Sequence, residues 1–134
     1  MNFWQKNKIF EKSVENRKGK KTFIFYDGPA TANALPPLHS LVPRVFKDAI
    51  PRYKTMRGFY APRKVGWDTH GLPVELQIEK KLGFKSKKEI EDYGIEKFNK
   101  LCRDSVWEYI GAWNKFTARS GYWIDYDHPY ITYE

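Results

Sequence analysis

The sequence predicts an α/β fold: a partial Rossmann-like domain built on a βαβ unit with parallel strands, preceded by an N-terminal helix and followed by a C-terminal helical segment. Three observations carry this prediction. Thr22–Tyr26 is a β-branched and aromatic run that stops at Asp27-Gly28-Pro29, too short for a helix. A helical pattern begins near Pro43 and runs to about Met56. Phe59–Trp67 is a second β-type run, and it ends in the polar loop Asp68–Pro73. Strand, helix and strand in that order predict a right-handed crossover and a parallel pair. The loops after Tyr26 and after Trp67 then share one sheet edge, where open α/β sheets bind ligands.

Taken in order, residues 1–18 predict an amphipathic helix, with Phe3, Trp4, Ile9, Phe10 and Val14 near one face. Gly19 is its expected C-cap within the basic turn Arg17–Lys21. Thr22–Tyr26 reads as a central strand. In the next helix Pro43 fits the first turn, Pro51 is expected to kink or pinch it, and Gly58 ends it. Its inward stripe reads as Val45, Phe46, Ala49, Ile50 and Tyr53. In the second strand Pro62 is confined to the start or to an edge. Pro73–Leu82 is a short helix with proline in its first turn, and Ser86-Lys87-Lys88-Glu89 is a capping box. Ile95 to about Arg119 reads as one long helix, with Phe98, Cys102, Val106, Trp113 and Phe116 in its apolar stripe. Gly121–Glu134 is an extended aromatic segment, either a strand or an arm.

The totals bound the function classes. A length of 134 residues suits a single domain spanning 1–134. The net charge of +8 fits phosphate-bearing partners, nucleotide or nucleic acid, and equally a basic soluble surface. The lone Cys102 excludes an internal disulfide and a cysteine-based zinc site. His39, His70 and His128 lack ligand spacing, so no metal site is expected. Lys6, Lys8, Glu11 and Lys12 interrupt any signal-like apolar run, and no run is long enough to span a bilayer. The expected compartment is the cytoplasm, with no membrane partner.

Specific motifs add to this. Asp27-Gly28-Pro29, Thr31-Ala32-Asn33, Pro51–Gly58, Gly66-Trp67-Asp68-Thr69-His70-Gly71-Leu72-Pro73-Val74-Glu75, Glu79–Gly83, Tyr93–Glu96 and Gly121–Asp125 keep their order and spacing along nearly the whole chain. Together they resemble class I isoleucyl-tRNA synthetase. The resemblance implies the N-terminal half of a catalytic fold that uses ATP to activate isoleucine and then transfers it to tRNA. By motif, Gly28 and Pro29 would line the amino-acid pocket, Asp68 would bind the ammonium group and Trp67 would wall the side chain. A carboxylate at a strand end is a natural partner for an ammonium. The alternative role for Asp68 is a turn cap before Gly71.

The chain departs from that pattern at one place. The family's His-x-Gly-His signature, whose histidines contact ATP phosphates, falls on Pro37, Leu38, His39 and Ser40. Both histidines are absent and the glycine is a histidine. Ala30 stands for a second proline, Ala34 for a glycine, and Pro43 removes an amide from the first helical turn. No intact catalytic set is therefore expected, ATP binding is expected to fail, and isoleucine binding is expected to be weak. The second half of the catalytic fold, the editing insertion and the anticodon-binding domain are not in this sequence. An incomplete sheet would leave an edge open to self-association. The rival reading is a non-catalytic module, natural or redesigned, that keeps the scaffold to bind tRNA, another RNA or a protein.

Overall fold

The computed structural model describes residues 2–134. A three-stranded parallel sheet organises them, in the order β1 (Phe25–Tyr26), β2 (Arg63–Trp67), β3 (Asp125–Ile131). The helices are α1 (Asn2–Lys6), α2 (Ile9–Glu15), α3 (Leu41–Met56), α4 (Leu72–Leu82), α5 (Lys87–Tyr93), α6 (Ile95–Ser105) and α7 (Ile110–Ser120). Among the described residues, no helix is long and apolar enough to cross a membrane.

The βαβ unit forms as expected. β1 and β2 run parallel, with Phe25 opposite Arg63 and Tyr26 opposite Lys64. A bridge between Thr22 and Tyr60 extends the pairing backwards, and one between Ala30 and Trp67 extends it forwards. The expectation that Thr22–Tyr26 is a central strand is corrected. β1 is a two-residue outer strand, Ile24 and Tyr26 are exposed, and β2 is the central strand. β2 takes that place because the aromatic tail pairs along its other side: Lys64 faces Asp125 and Gly66 faces Tyr130. The register slips between those two pairs. Pro129 lies within the slip and has no N–H for a ladder, which is the usual setting of a bulge. Gly66 is required here. A Cβ on it would lie 2.2 Å from the Tyr130 ring.

Three helical expectations change. The N-terminal pattern splits into α1 and α2 at Lys8, which adopts a left-handed conformation. The pattern from Ile95 to Arg119 splits into α6 and α7. Tyr109 donates its N–H to Ala32 O at 2.9 Å, so the helical ladder stops there and a loop carbonyl is satisfied instead. The third change is the face of α3. Val45, Phe46, Ile50 and Tyr53 are exposed, while Arg44, Pro51 and Thr55 are buried. The helix runs through Pro51, and Thr55 Oγ1 donates to Pro51 O at 2.8 Å. The inward side is polar because the surface facing it is aromatic. The Arg44 guanidinium lies 5.1 Å from the Trp113 ring, 5.5 Å from Phe116 and 5.4 Å from Tyr122, and donates to Thr117 Oγ1 at 2.8 Å. Rings accept a guanidinium through their negative faces, so an arginine can be buried without a carboxylate.

The expected local signals hold. Pro73 sits in the first turn of α4. The Ser86/Glu89 capping box precedes α5. Backbone hydrogen bonds from Lys85 and Ser86 hold the Glu89 carboxyl below its usual range. The core gathers Ala32, Val65, Trp67, Trp113, Tyr122 and Ile124 between β2, β3 and α7.

Arg63 is the least comfortable core residue. It is 1% exposed, and its Nε and Nη1 have no hydrogen-bond partner. Nη2 donates to Thr55 Oγ1 at 3.2 Å, and the guanidinium lies 5.5 Å from Phe10 and 5.9 Å from Trp123. Burial pushes its pKa down to about 10, against a partial upward pull from Asp48. The group is therefore charged at neutral pH at a cost, because the unfolded chain holds the same proton more tightly. That penalty acts in full below about pH 10 and fades as the pH rises beyond it. Arg63→Met removes it and orphans nothing, since Thr55 Oγ1 keeps its bond to Pro51. Urea unfolding at neutral pH should show the variant more stable by about 1 kcal/mol. A loss of similar size would mean that the ring contacts outweigh the unpaired donors.

Candidate functional site

The site lies where the loops after β1 and β2 meet. Ala30 N donates to Gly66 O at 3.3 Å, and Asp68 N donates to Ala30 O at 2.8 Å. Thr31 Oγ1 donates to Asp68 Oδ2 at 3.2 Å. Among the described residues nothing else hydrogen-bonds to the Asp68 carboxylate, which is half-buried. Gly28 and Pro29 are exposed and precede the segment that is pinned to Asp68. Trp67 is in the core instead, 3% exposed, edge-on to Trp113 at a ring distance of 6.5 Å. The structure thus brings the Gly28–Thr31 loop and Asp68 together, with Trp67 supporting the junction from the interior.

The junction is held from several directions. Asn33 Nδ2 donates to Pro73 O at 3.5 Å, and Gln77 Nε2 donates to Asn33 O at 2.7 Å, which ties the loop to α4. Trp113 Nε1 donates to Ala34 O at 2.9 Å, which ties it to α7. Beyond Asp68, Thr69 N donates to Thr132 Oγ1 at 3.0 Å, and His70 Nδ1 lies 2.7 Å from the same oxygen. Gly71, at φ +87, turns the chain into α4 with a backbone that side chains rarely adopt. Asp68 is consequently not a cap for this turn. The first amides of α4 bond to Gly71 O.

Asp27, the carboxylate that the loop after Tyr26 offers in the sequence, anchors the start of the loop. It is 2% exposed, and its Oδ1 takes a 2.7 Å ion pair from Lys47 of α3. Its carbonyl accepts the Tyr130 hydroxyl, and its N–H donates to Lys64 O at 2.9 Å. Strand β3 and helix α3 therefore grip the loop from both sides. Burial and the Asp27 charge push the Tyr122 and Tyr130 hydroxyls up, so both stay protonated at neutral pH. No sequence motif joins Lys47 or Tyr130 to Asp27, since the pairs lie far apart along the chain.

The far end of the loop is different. Leu38–Ser40 forms a 3₁₀ turn, with Pro37 extended before it. Leu38 is 79% exposed and His39 is exposed. Ser40 N donates to Pro37 O, Leu41 N donates to Leu38 O, and Pro43 has no amide. No side chain caps α3. A phosphate at this helix start would find the N–H groups of Leu38 and His39 but not those of Ser40 and Leu41, which are already bonded.

The family of class I tRNA synthetases (I, L, M and V) matches residues 1–134. This chain belongs to that family. It is 60% identical over 132 residues to the isoleucine–tRNA ligase of Thermus thermophilus, a match covering 98% of this chain and 13% of the relative. It is 58% identical over 132 residues to the isoleucine–tRNA ligase of Dehalococcoides mccartyi strain CBDB1, with the same coverage. It is 53% identical over 131 residues to isoleucine–tRNA ligase 2 of Bacillus anthracis, again covering 98% and 13%. The chain thus spans about 13% of the length of these class I relatives. Among the described residues, no group of three or more His, Cys, Asp or Glu side chains is placed to hold a metal ion. Cys102 lies half-buried on α6, and burial pushes its thiol up, away from reactivity.

Proposed function

We propose that residues 1–134 fold as one unit, the N-terminal part of an isoleucine–tRNA ligase catalytic fold that keeps an amino-acid subsite and has lost its nucleotide subsite. The observation that carries this reading is the Asp68 carboxylate at the sheet edge, held by Thr31 and open on its other oxygen, beside the exposed Gly28-Pro29 turn. An ammonium group suits that oxygen, since charge-assisted bonds are stronger than neutral ones. Trp67 fixes the depth of the apolar side from within the core. Pro37, Leu38, His39 and Ser40 do not fit ATP. Pro37 has no N–H to give, and Ser40 already donates its own to Pro37 O.

The family's reaction, ATP-dependent activation of isoleucine and its transfer to tRNA, is accordingly assigned to the longer relatives and not to this chain by itself. The remainder of a catalytic domain is the natural cover for the apolar face of α3 (Val42, Val45, Phe46 and Ile50) and for the free side of β1. Without it, self-association through the same surface is expected. Such a ligase works in the cytoplasm.

Titration calorimetry tests the amino-acid subsite. Isoleucine should bind weakly and ATP should give no heat. Asp68→Ala should weaken isoleucine binding about 10- to 150-fold, the range for losing a hydrogen bond to a charged group. An isoleucine affinity that survives Asp68→Ala would end the assignment.

A further inference from the structure

Electrostatics single out the opposite end of the sheet. Of the acidic residues between positions 1 and 64, only Glu11, Glu15, Asp27 and Asp48 occur. Three of them are already paired: Glu15 with Lys18, Asp27 with Lys47, and Asp48 with Arg52. The remaining cations gather where β1 and β2 begin and α3 ends. Tyr60 N donates to Lys21 O at 3.0 Å, and Phe23 N donates to Tyr60 O at 2.8 Å, which closes the turn Arg17–Lys21 against Phe59-Tyr60. Arg17 Nε donates to Thr55 O at 3.2 Å near the end of α3. Lys20, Lys21 and Arg57 are exposed, and Lys54 is half-buried.

These cations stand over aromatic faces. Lys21 Nζ is 5.8 Å from the Phe59 ring, and Lys54 Nζ is 5.2 Å from Phe23 and 5.1 Å from Phe59. The Arg57 guanidinium is 5.8 Å from the Tyr53 ring, and Arg57 Nη1 donates to Tyr53 Oη at 2.9 Å. Among the described residues no carboxylate pairs with Lys20, Lys21, Lys54 or Arg57. A ring holds an ammonium in place but leaves its protons free for an oxyanion. The ordinary explanation for a cation near a helix C-terminus is the helix dipole. It accounts for Arg17, Lys54 and Arg57, which lie in or against the last turn of α3. It does not account for Lys20 and Lys21, nor for the rings of Tyr53 and Phe59 among the cations.

We infer that this basic and aromatic surface, formed by Lys20, Lys21, Lys54, Arg57, Tyr53 and Phe59, binds the phosphodiester backbone and unstacked bases of single-stranded RNA. Phosphates meet the ammonium and guanidinium groups, and a base stacks on Tyr53. Charge complementarity selects a polyanion, and the interleaved rings select one that carries bases. The surface lies at the strand starts, away from Asp68, so it does not depend on the amino-acid subsite.

Fluorescence anisotropy with a labelled, unstructured RNA oligonucleotide over a salt series tests this. The unaltered chain should bind with an affinity that falls steeply with salt. The triple variant Lys21→Gln, Lys54→Gln, Arg57→Gln should lose at least about tenfold in affinity at low salt, and its log–log salt slope should shrink by about 2. Removing the same charge elsewhere, as Lys87→Gln, Lys88→Gln, Lys100→Gln, should change affinity less than about twofold. Tyr53→Ala should weaken RNA binding about 5- to 10-fold and leave inorganic polyphosphate binding unchanged. Circular dichroism checks each fold. Should the first triple variant unfold, Lys20→Glu gives the same direction at an exposed position. Equal losses in the two triple variants, no RNA binding by the unaltered chain, or equally tight binding of polyglutamate would each overturn the proposal. Isoleucine calorimetry on the same samples reads the other site, so the two readings fail separately.

Discussion

Isoleucine-dependent exchange of pyrophosphate into ATP by the purified chain should stay at background. Exchange requires the nucleotide to be held while charge builds on its α-phosphate, and donors aimed at that charge typically supply on the order of 10²–10³ in rate each. Here the positions that would provide them are Pro37, with no amide and no side-chain donor, and Ser40, whose N–H goes to Pro37 O. His39 places a side chain where the family pattern has none. The sharper experiment moves the segment Pro37–Ser40 into the corresponding positions of a complete isoleucine–tRNA ligase. There kcat for adenylate formation should fall by on the order of 10³ or more, while KM for isoleucine changes little. Exchange clearly above background by the chain, or a small kcat effect in the graft, would show that another group has taken over the phosphate contacts.

Trp113→Ala should cost about 3–5 kcal/mol in stability, enough to unfold much of a domain whose total is about 5–15 kcal/mol. Trp113 is buried at the centre of the core and meets Trp67 edge-on at 6.5 Å and Phe116 at 6.3 Å. Its ring also faces the buried Arg44 guanidinium at 5.1 Å, so truncation leaves that charge with fewer partners. In addition the Ala34 carbonyl loses its indole donor, which loosens the site loop. Trp113→Phe keeps most of the packing and loses the donor, so it should cost only about 1–2 kcal/mol. Urea unfolding of the two variants separates these terms. A cost below about 1 kcal/mol for Trp113→Ala would mean that the core around α7 can collapse into the space.

Much of the site was legible in the sequence, but not all of it. The meeting of the Gly28–Thr31 loop with Asp68 followed from two strands in a βαβ unit, and Ala30 does pair with Trp67. The residues that grip the loop were not legible. Lys47 reads as a surface lysine beside an apolar stripe, and Tyr130 reads as one tyrosine in an aromatic tail. Each acquires its role only by reaching Asp27. Trp67 was expected as a pocket wall and is found in the core, because the β2 strand that carries it is covered by α7 and β3.

By itself the sequence determined the succession of strand and helix types, the parallel βαβ unit, the proline in the first turn of α4, the capping box of α5, and membership of the class I synthetases. Those features depend on neighbours a few residues apart, or on motifs that keep fixed spacing. Only the tertiary structure decided which side of α3 faces inward, where the helix after Ile95 breaks, that β1 is outermost, and how Asp27 is held. In each case the deciding partner is distant in the chain: the Trp113–Tyr122 rings for Arg44, the Ala32 carbonyl for Tyr109, the tail strand for β2, and Lys47 with Tyr130 for Asp27. The loop that ends in Pro37–Ser40 belongs to both accounts. Its altered residues were visible in the sequence, and the fold accommodates them as a 3₁₀ turn in which Pro37 has no N–H and the Ser40 N–H is already bonded.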